Sequence, residues 1–351
     1  MPQILPNPNK KGNTINVDTK DLYNWGDSKD HFLNNGVINI SSKGSLKNQA
    51  DLTNWATLTN KGVIHNSGLF DNSYYWPGSS AVFKNYHLFY IANGGKLQNT
   101  GHFVNESGAE LHVDDFLIDN EQIQNDGTLD NMGLIANAAF IYSSGTLVNH
   151  KSGVIRNDAE IAIDGTFNNY GVITNNSNID NWSGTFVNEK DALIQGSGRI
   201  MGSITNHGTI NAGNSSGGHL ILGDFYHATD GVVEIELGGH SDFDRDLVRT
   251  QYDFVDVAGD LVIDGGSLEV SLVDDFKIMR GQEFIIAKID GDQHGQYQGL
   301  SEGSSVGQFE GFNGNMLDLF ISYQAGDGND IALHAPPLTN PDLIFSLPHL
   351  I

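Results

Sequence analysis

The chain contains no cysteine. A disulfide framework and a thiolate-held zinc or iron–sulfur centre are therefore excluded. Proline is scarce, eight in 351 residues, and all but Pro77 lie before residue 9 or after residue 335. Basic residues are few: 18 Lys and Arg stand against 43 Asp and Glu, a formal net charge of −25. Such an excess of negative charge repels phosphate, so no nucleic-acid partner is expected. No apolar run reaches the length of a bilayer-spanning helix, so no transmembrane segment is expected. Charge of either sign is thin at 17% of residues, where about 25% is usual.

Glycine and asparagine fill the gap, with 42 Gly and 37 Asn. Hydrophobic residues make up 38% of the chain and include 18 Phe. That is enough for a packed core, so global disorder is not expected. Thirty of the Asn precede residue 201, and none falls between 215 and 312. Acidity shifts at the same place: residues 31–215 carry a net −7, residues 216–335 a net −17. Four segments follow: an N-terminal lead (1–30), an Asn-rich body (31–215), an acidic body (216–335) and an apolar tail (336–351).

The Asn-rich body has an internal period. An apolar residue, any residue, then Asn recurs from Leu46, Leu52, Leu58, Ile64 and Phe70, a step of six without slip. It returns at Leu97 and Phe103, at Ile123, Leu129 and Ile135, and continues through Leu147, Ile155, Phe167, Ile173 and Ile179 to Ile204 and Ile210. Gly often stands two residues after the Asn, as in Asn60-Lys61-Gly62 and Asn206-His207-Gly208. A six-residue step cannot hold one face of a 3.6-residue helix. It fits a short strand with its apolar residue inward, closed by a corner at which Asn adopts the left-handed conformation. Three units make a coil of about 18–20 residues, and stacked coils make a solenoid in which Asn side chains pair from coil to coil. The expected fold is all-β, a right-handed parallel β-helix. A left-handed β-helix also uses hexads, but without Asn two places after the aliphatic residue. A β-sandwich predicts strands every 8–12 residues.

From residue 216 the strands are expected to lengthen, at Val232–Leu237, Asp260–Ile263, Ser267–Leu272 and Glu283–Ala287. Four motifs follow one another in order: Thr209-Ile210-Asn211-Ala212-Gly213, Tyr252-Asp253-Phe254-Val255-Asp256-Val257-Ala258-Gly259, Gly266-Ser267-Leu268-Glu269-Val270, and Gly326-Asp327-Gly328-Asn329-Asp330-Ile331-Ala332-Leu333. With the Asn hexads before them, they make residues 31–335 resemble the passenger domains of bacterial autotransporters and filamentous-haemagglutinin-like surface proteins. The resemblance implies a parallel β-helix at the cell surface or outside the cell. It does not extend to the translocator barrel, which a 16-residue tail is too short to hold. The N-terminus lacks the apolar stretch of an ordinary signal peptide.

Candidate sites are of three kinds. Tyr74, Tyr75, Trp76, Phe83, Tyr86, Phe89 and Tyr90 crowd 17 residues where the six-residue step breaks, with Pro77-Gly78 as a turn. Of these, Tyr74, Tyr75, Trp76, Tyr86 and Tyr90 are candidates for stacking on a glycan or binding a protein. Asp242, Asp244 and Asp246 alternate as calcium ligands do, with Asp253 and Asp256 within reach on a neighbouring strand; Leu247 stands where an EF-hand needs Gly. Calcium is thus the one ion the sequence invites, and no cofactor is required. Ile4 and Leu5, with Leu343, Ile344 and Phe345, are apolar runs among prolines, suited to capping a coil end or joining copies. Ala325–Asp330 resembles a single calcium nonapeptide, which acts only in stacked copies, and reads as a turn into the last strand. His207, His219, His227 and His240 share no period and read as surface residues.

The function expected is structural or adhesive and non-catalytic: a surface adhesin, or a subunit of an extracellular layer or filament. Its partners would be other copies of itself or cell-surface glycans. The alternative is a β-helix enzyme of the polysaccharide lyase or epimerase type, using Arg245 and Arg249 beside the Asp242–Asp246 carboxylates.

Overall fold

The computed structural model describes residues 3–4, 9–18, 21–24, 32–73, 81–92, 94–114, 123–213, 219–241 and 250–337. Among them every regular element is a strand and none is a helix. The parallel β-solenoid expected from the hexads is present. The chain divides into two compact units, Met1–Ile194 with Gly198–Ser203, and Gln195–Ser197 with Ile204–Ile351.

Each coil of the first unit carries three short strands on three faces. Ser45–Asn48 lies on face one, Leu52–Asn54 on face two and Thr57–Asn60 on face three, and Val63–Asn66 begins the next coil. Side chains alternate inward and outward along each strand. The central apolar residue of each is buried and sits in register with its counterpart one coil on. Face one stacks Leu46, Ile64, Phe89, Leu111, Ile135, Ile155 and Ile173. Face three stacks Leu58, Phe83, Phe103, Leu129, Leu147, Phe167 and Phe186. Like therefore packs on like: the Phe83 and Phe103 rings stack with centroids 4.7 Å apart, those of Phe167 and Phe186 at 4.5 Å. Burying each such side chain contributes about 1.5–3 kcal/mol.

The expected break at 70–97 is narrower than the sequence implied. Phe83 aligns with Leu58 and Phe89 with Ile64. The extra length lies between Asn72 and Val82, and the step of six resumes at Phe83. Phe83 and Phe89 are core residues, because their place in the coil is that of the aliphatic residues around them.

The asparagines do not adopt the left-handed conformation expected of them. Asp191, Asp274 and Asp275 are the non-glycine residues with positive φ among those described. Asn131 instead ends its strand in extended backbone, with its amide fully buried. Its Oδ1 accepts from Asn105 Nδ2 at 2.8 Å, and its Nδ2 donates to Asn149 Oδ1 at 2.8 Å and to the Val154 carbonyl at 3.2 Å. The same arrangement links Asn60, Asn85, Asn105, Asn131, Asn149, Asn169 and Asn188 in one ladder. A second ladder runs through Asn9, Asn34, Asn54, Asn72, Asn99 and Asn125 to Ser143. The third corner carries Asn24–Asn48–Asn66 and Asn137–Asn157–Asn175. An amide is both donor and acceptor, so a column of them satisfies itself without water.

The corner glycines owe their place to close approach. A Cβ on Gly145 would lie 2.1 Å from the Gly127 carbonyl oxygen, and one on Gly165 2.0 Å from that of Gly145. Only hydrogen fits between those coils.

The second unit has longer strands. Val232–Leu237 pairs in parallel with Ser267–Leu272, and Phe254–Val257 with Glu283–Ile289. The parallel pattern does not continue to residue 335. Ser305–Glu310, Met316–Ala325 and Asp330–His334 pair antiparallel, and Asp330–His334 also lies antiparallel to Glu283–Ile289. The connections at 311–315 and 326–329 are hairpins, too short for the crossover that parallel strands need. The second of them is the Gly326–Asn329 turn, leading into the last strand as expected.

Candidate functional site

The outward position between the apolar residue and the Asn forms a column on face one of the first unit. Successive coils place Tyr23, Lys47, His65, Tyr90, His112, Ala136, Arg156 and Thr174 in register. Neighbouring residues in a parallel sheet lie about 4.8 Å apart, so successive side chains of the column are neighbours. Lys47 Nζ lies 5.1 Å from the Tyr23 ring centroid and 3.2 Å from its hydroxyl. The Tyr90 ring packs between His65, with centroids 6.1 Å apart, and His112 at 5.7 Å and 25°. Tyr90 and His112 are stacked, whereas His65 is tilted against Tyr90 at 55°. The Tyr90 hydroxyl donates to Asp114, and His112 Nε2 lies 2.8 Å from Glu110 Oε2. The bond to Asp114, with some burial and the carboxylate charge, raises the Tyr90 pKa above the ordinary phenol value.

Tyr86 stands at the corner before this face and is exposed. Its main-chain N–H donates to the Asn60 carbonyl, which fixes it beside Lys61, whose Nζ is 5.8 Å from the ring centroid. Burial of the hydroxyl and the charge of Glu106 raise its pKa. The structure thus brings Tyr86 and Tyr90 onto adjoining parts of one coil. Tyr74, Tyr75 and Trp76 lie outside the described residues.

On face three, Asp130 lies between His102 Nε2 at 2.6 Å and His150 Nε2 at 2.9 Å. The three residues come from three successive coils. Sequence reasoning missed them, because separations of 28 and 20 residues mean nothing until the coil length is known. The face-one column was missed for the same reason; sorting each Φ-x-N unit by face would have revealed it.

Of the calcium candidates, Asp242, Asp244 and Asp246 lie outside the described residues, as do Arg245 and Arg249. Asp253 is fully buried, and its Oδ2 accepts the Glu236 N–H at 3.0 Å. Asp256 Oδ1 accepts the Lys288 N–H at 3.3 Å. Nearby, Asp224 Oδ1 accepts the Asp260 N–H at 3.1 Å, and Asp260 Oδ1 the Asp292 N–H at 2.9 Å. These carboxylates pin successive coils of the second unit. Among the described residues no group of three or more His, Asp or Glu is placed to hold a metal ion. Of the capping candidates, Ile4 ends a two-residue strand paired with Asp21–Asn24; Leu5, Leu343, Ile344 and Phe345 lie outside the described residues.

His227 corrects the reading of the histidines as surface residues. It is fully buried, in register with Asn206, and occupies the slot of a ladder asparagine. Asn206 Nδ2 lies 3.2 Å from His227 Nδ1. Desolvation lowers its pKa to about 4, opposed more weakly by the Ser267 main chain and the charge of Asp230. Imidazole is apolar enough to be buried neutral, and its ring nitrogen accepts where an amide oxygen would.

No protein-family model matches the chain, and no curated protein matches it. No helix among the described residues is long and apolar enough to cross a membrane.

Proposed function

We propose that the protein is a structural or adhesive solenoid of the cell surface or extracellular space, acting without catalysis and binding a repetitive partner through face one of its first unit. The observation that carries this reading is the column Tyr23–Lys47–His65–Tyr90–His112, which places one aromatic or basic side chain per coil on five successive coils. A periodic row of such side chains suits a partner that is itself periodic, and a cell-surface polysaccharide is such a partner. The resemblance to autotransporter passengers and haemagglutinin-like proteins supports the same location and role. Fold alone decides nothing about activity.

Retention of the purified protein on immobilised cell-surface polysaccharides tests the proposal. The wild-type chain is expected to be retained and a Lys47→Ala/Tyr90→Ala variant, folded by circular dichroism, to pass through. Equal retention of both would remove face one from the account. Recovery of shortened or unsaturated polymer after incubation would replace the adhesive reading with a lyase.

A further inference from the structure

Three of the large apolar side chains exposed in the described residues sit together in the second unit. They are Met279 at 47%, Phe312 at 73% and Met316 at 56% of full exposure. Main-chain bonds hold them side by side. Ile278 bridges Gly311 in parallel, with the Phe312 N–H donating to the Ile278 carbonyl at 2.9 Å. The Gly311 N–H donates to the Asn315 carbonyl at 2.7 Å, which folds the hairpin so that Met316 follows directly. A patch of this kind is normally covered in a soluble domain.

The described chain ends beside it. The Gly281 N–H donates to the Pro336 carbonyl at 2.8 Å, and the Ala335 N–H to the Gln282 carbonyl at 2.9 Å. Pro337 thus leaves the fold two to three residues from Met279. Residues 338–351 span at most about 45 Å when extended, which covers the patch many times over. Seven of these 14 residues are large and apolar (Leu338, Leu343, Ile344, Phe345, Leu347, Leu350 and Ile351), and Asp342 is the sole charge. A nearly uncharged segment meets no repulsion from a unit this acidic. A tether so short also holds it at millimolar effective concentration.

We propose that the segment 338–351 docks on the Met279–Phe312–Met316 patch of its own chain. The Leu343–Ile344–Phe345 run then covers the patch and closes the hairpin end of the second unit.

Peroxide oxidation of Met279 and Met316, read by peptide mass spectrometry, tests this on the full chain, on a chain ending at Pro337 and on full-length Phe345→Asp. Both variants are expected to oxidise at the two methionines at least about fivefold faster than the full chain. A synthetic 338–351 peptide should restore protection to the shortened chain. Hydrogen exchange in Met316–Ala325 and Asp330–His334 reports whether that unit stays folded; if the shortened chain fails there, Phe345→Asp alone decides. Equal oxidation rates in the full chain and the folded variant would overturn the proposal. So would protection that vanishes on dilution together with an oligomer seen by light scattering, because the occupant would then be a second copy.

Discussion

The two units solve the same problem with different chemistry. Parallel coils leave a buried corner at the end of each strand, where a polar group must tie one coil to the next. The first unit uses asparagine at nearly every such corner. The second, with no asparagine between 215 and 312, buries His227, Asp253 and Asp330 and links further coils through the exposed run Asp224–Asp260–Asp292. An amide hands a hydrogen bond on to its own kind. A carboxylate only accepts, so each Asp of the second unit must find a main-chain N–H, as Asp330 does with that of Ile289 at 2.9 Å. Repetition therefore satisfies nearly every ladder amide of the first unit, whereas the second depends on separate fits. Among the described residues, buried side-chain atoms without a partner follow that division: Asn181 Oδ1 in the first unit, against Asn211 Oδ1, His227 Nε2, Gln282 Nε2 and Asn329 Oδ1 in the second. Separate fits also free the second unit to take longer strands and to close in antiparallel hairpins.

Four predictions bear on this contrast. All four tryptophans precede residue 195, so tryptophan fluorescence follows the first unit, and hydrogen exchange by peptide follows the second. The largest effect is expected at Asn131. Asn131→Ala leaves Asn105 Nδ2 and Asn149 Oδ1 without their partner and should cost on the order of 2–5 kcal/mol in urea unfolding. Thr128→Ala, on the outward side of the same strand, should stay within about 0.5 kcal/mol. Equal costs would end the claim that the ladder stabilises the first unit.

The second concerns acid. His227 is neutral in the fold, with a pKa of about 4. The unfolded chain binds its proton near pH 6.5, so stability is full above that pH and falls as the pH drops towards 4. The loss should reach about 3 kcal/mol. Hydrogen exchange in Phe225–His227 and Leu261–Asp264 should therefore accelerate from pH 7 to pH 4.5. His227→Asn places an amide in an amide slot and should flatten that dependence. An unchanged pH profile in His227→Asn would locate the acid sensitivity elsewhere.

Third, Gly165→Ala drives a methyl group against the Gly145 carbonyl and should destabilise the first unit by about 1–3 kcal/mol. A neutral result would mean that the coils separate more easily than their spacing implies. The smallest effect belongs to Tyr90→Phe. Loss of the partly exposed bond to Asp114 should cost about 1 kcal/mol or less, and a larger change would give the face-one column a structural role beyond its surface position.

The six-residue step made much of the core of the first unit legible, since the positions it assigned between Leu46 and Ile179 are buried, although it did not name Phe89, Leu111 or Phe186. Pairing of Asn between coils was legible too, but its cause was not. Asn131 was expected at a left-handed corner, because local propensity favours Asn there; the tertiary demand for a buried donor and acceptor prevailed. His227 was obscured because its spacing from His207 and His219 is irregular. The relevant spacing is the 21 residues back to Asn206, one coil. The outer columns were beyond reach for a related reason: coils of the first unit vary from 18 residues between Leu46 and Ile64 to 27 between Phe70 and Leu97, and only register shows which exposed residues meet. The antiparallel closure followed from turn lengths at 311–315 and 326–329, which the expectation of a uniform solenoid overrode.

A double-mutant cycle across Asn131 and Asn149 tests the ladder most directly. Asn131→Ala, Asn149→Ala and the double variant would be unfolded in urea and followed by tryptophan fluorescence. If the amides stabilise the first unit by bonding to one another, the second substitution costs less once the first is made. A coupling of roughly 1–2 kcal/mol is then expected. Additivity to within about 0.5 kcal/mol would contradict it, and would leave each asparagine as a separate corner residue rather than a link between coils.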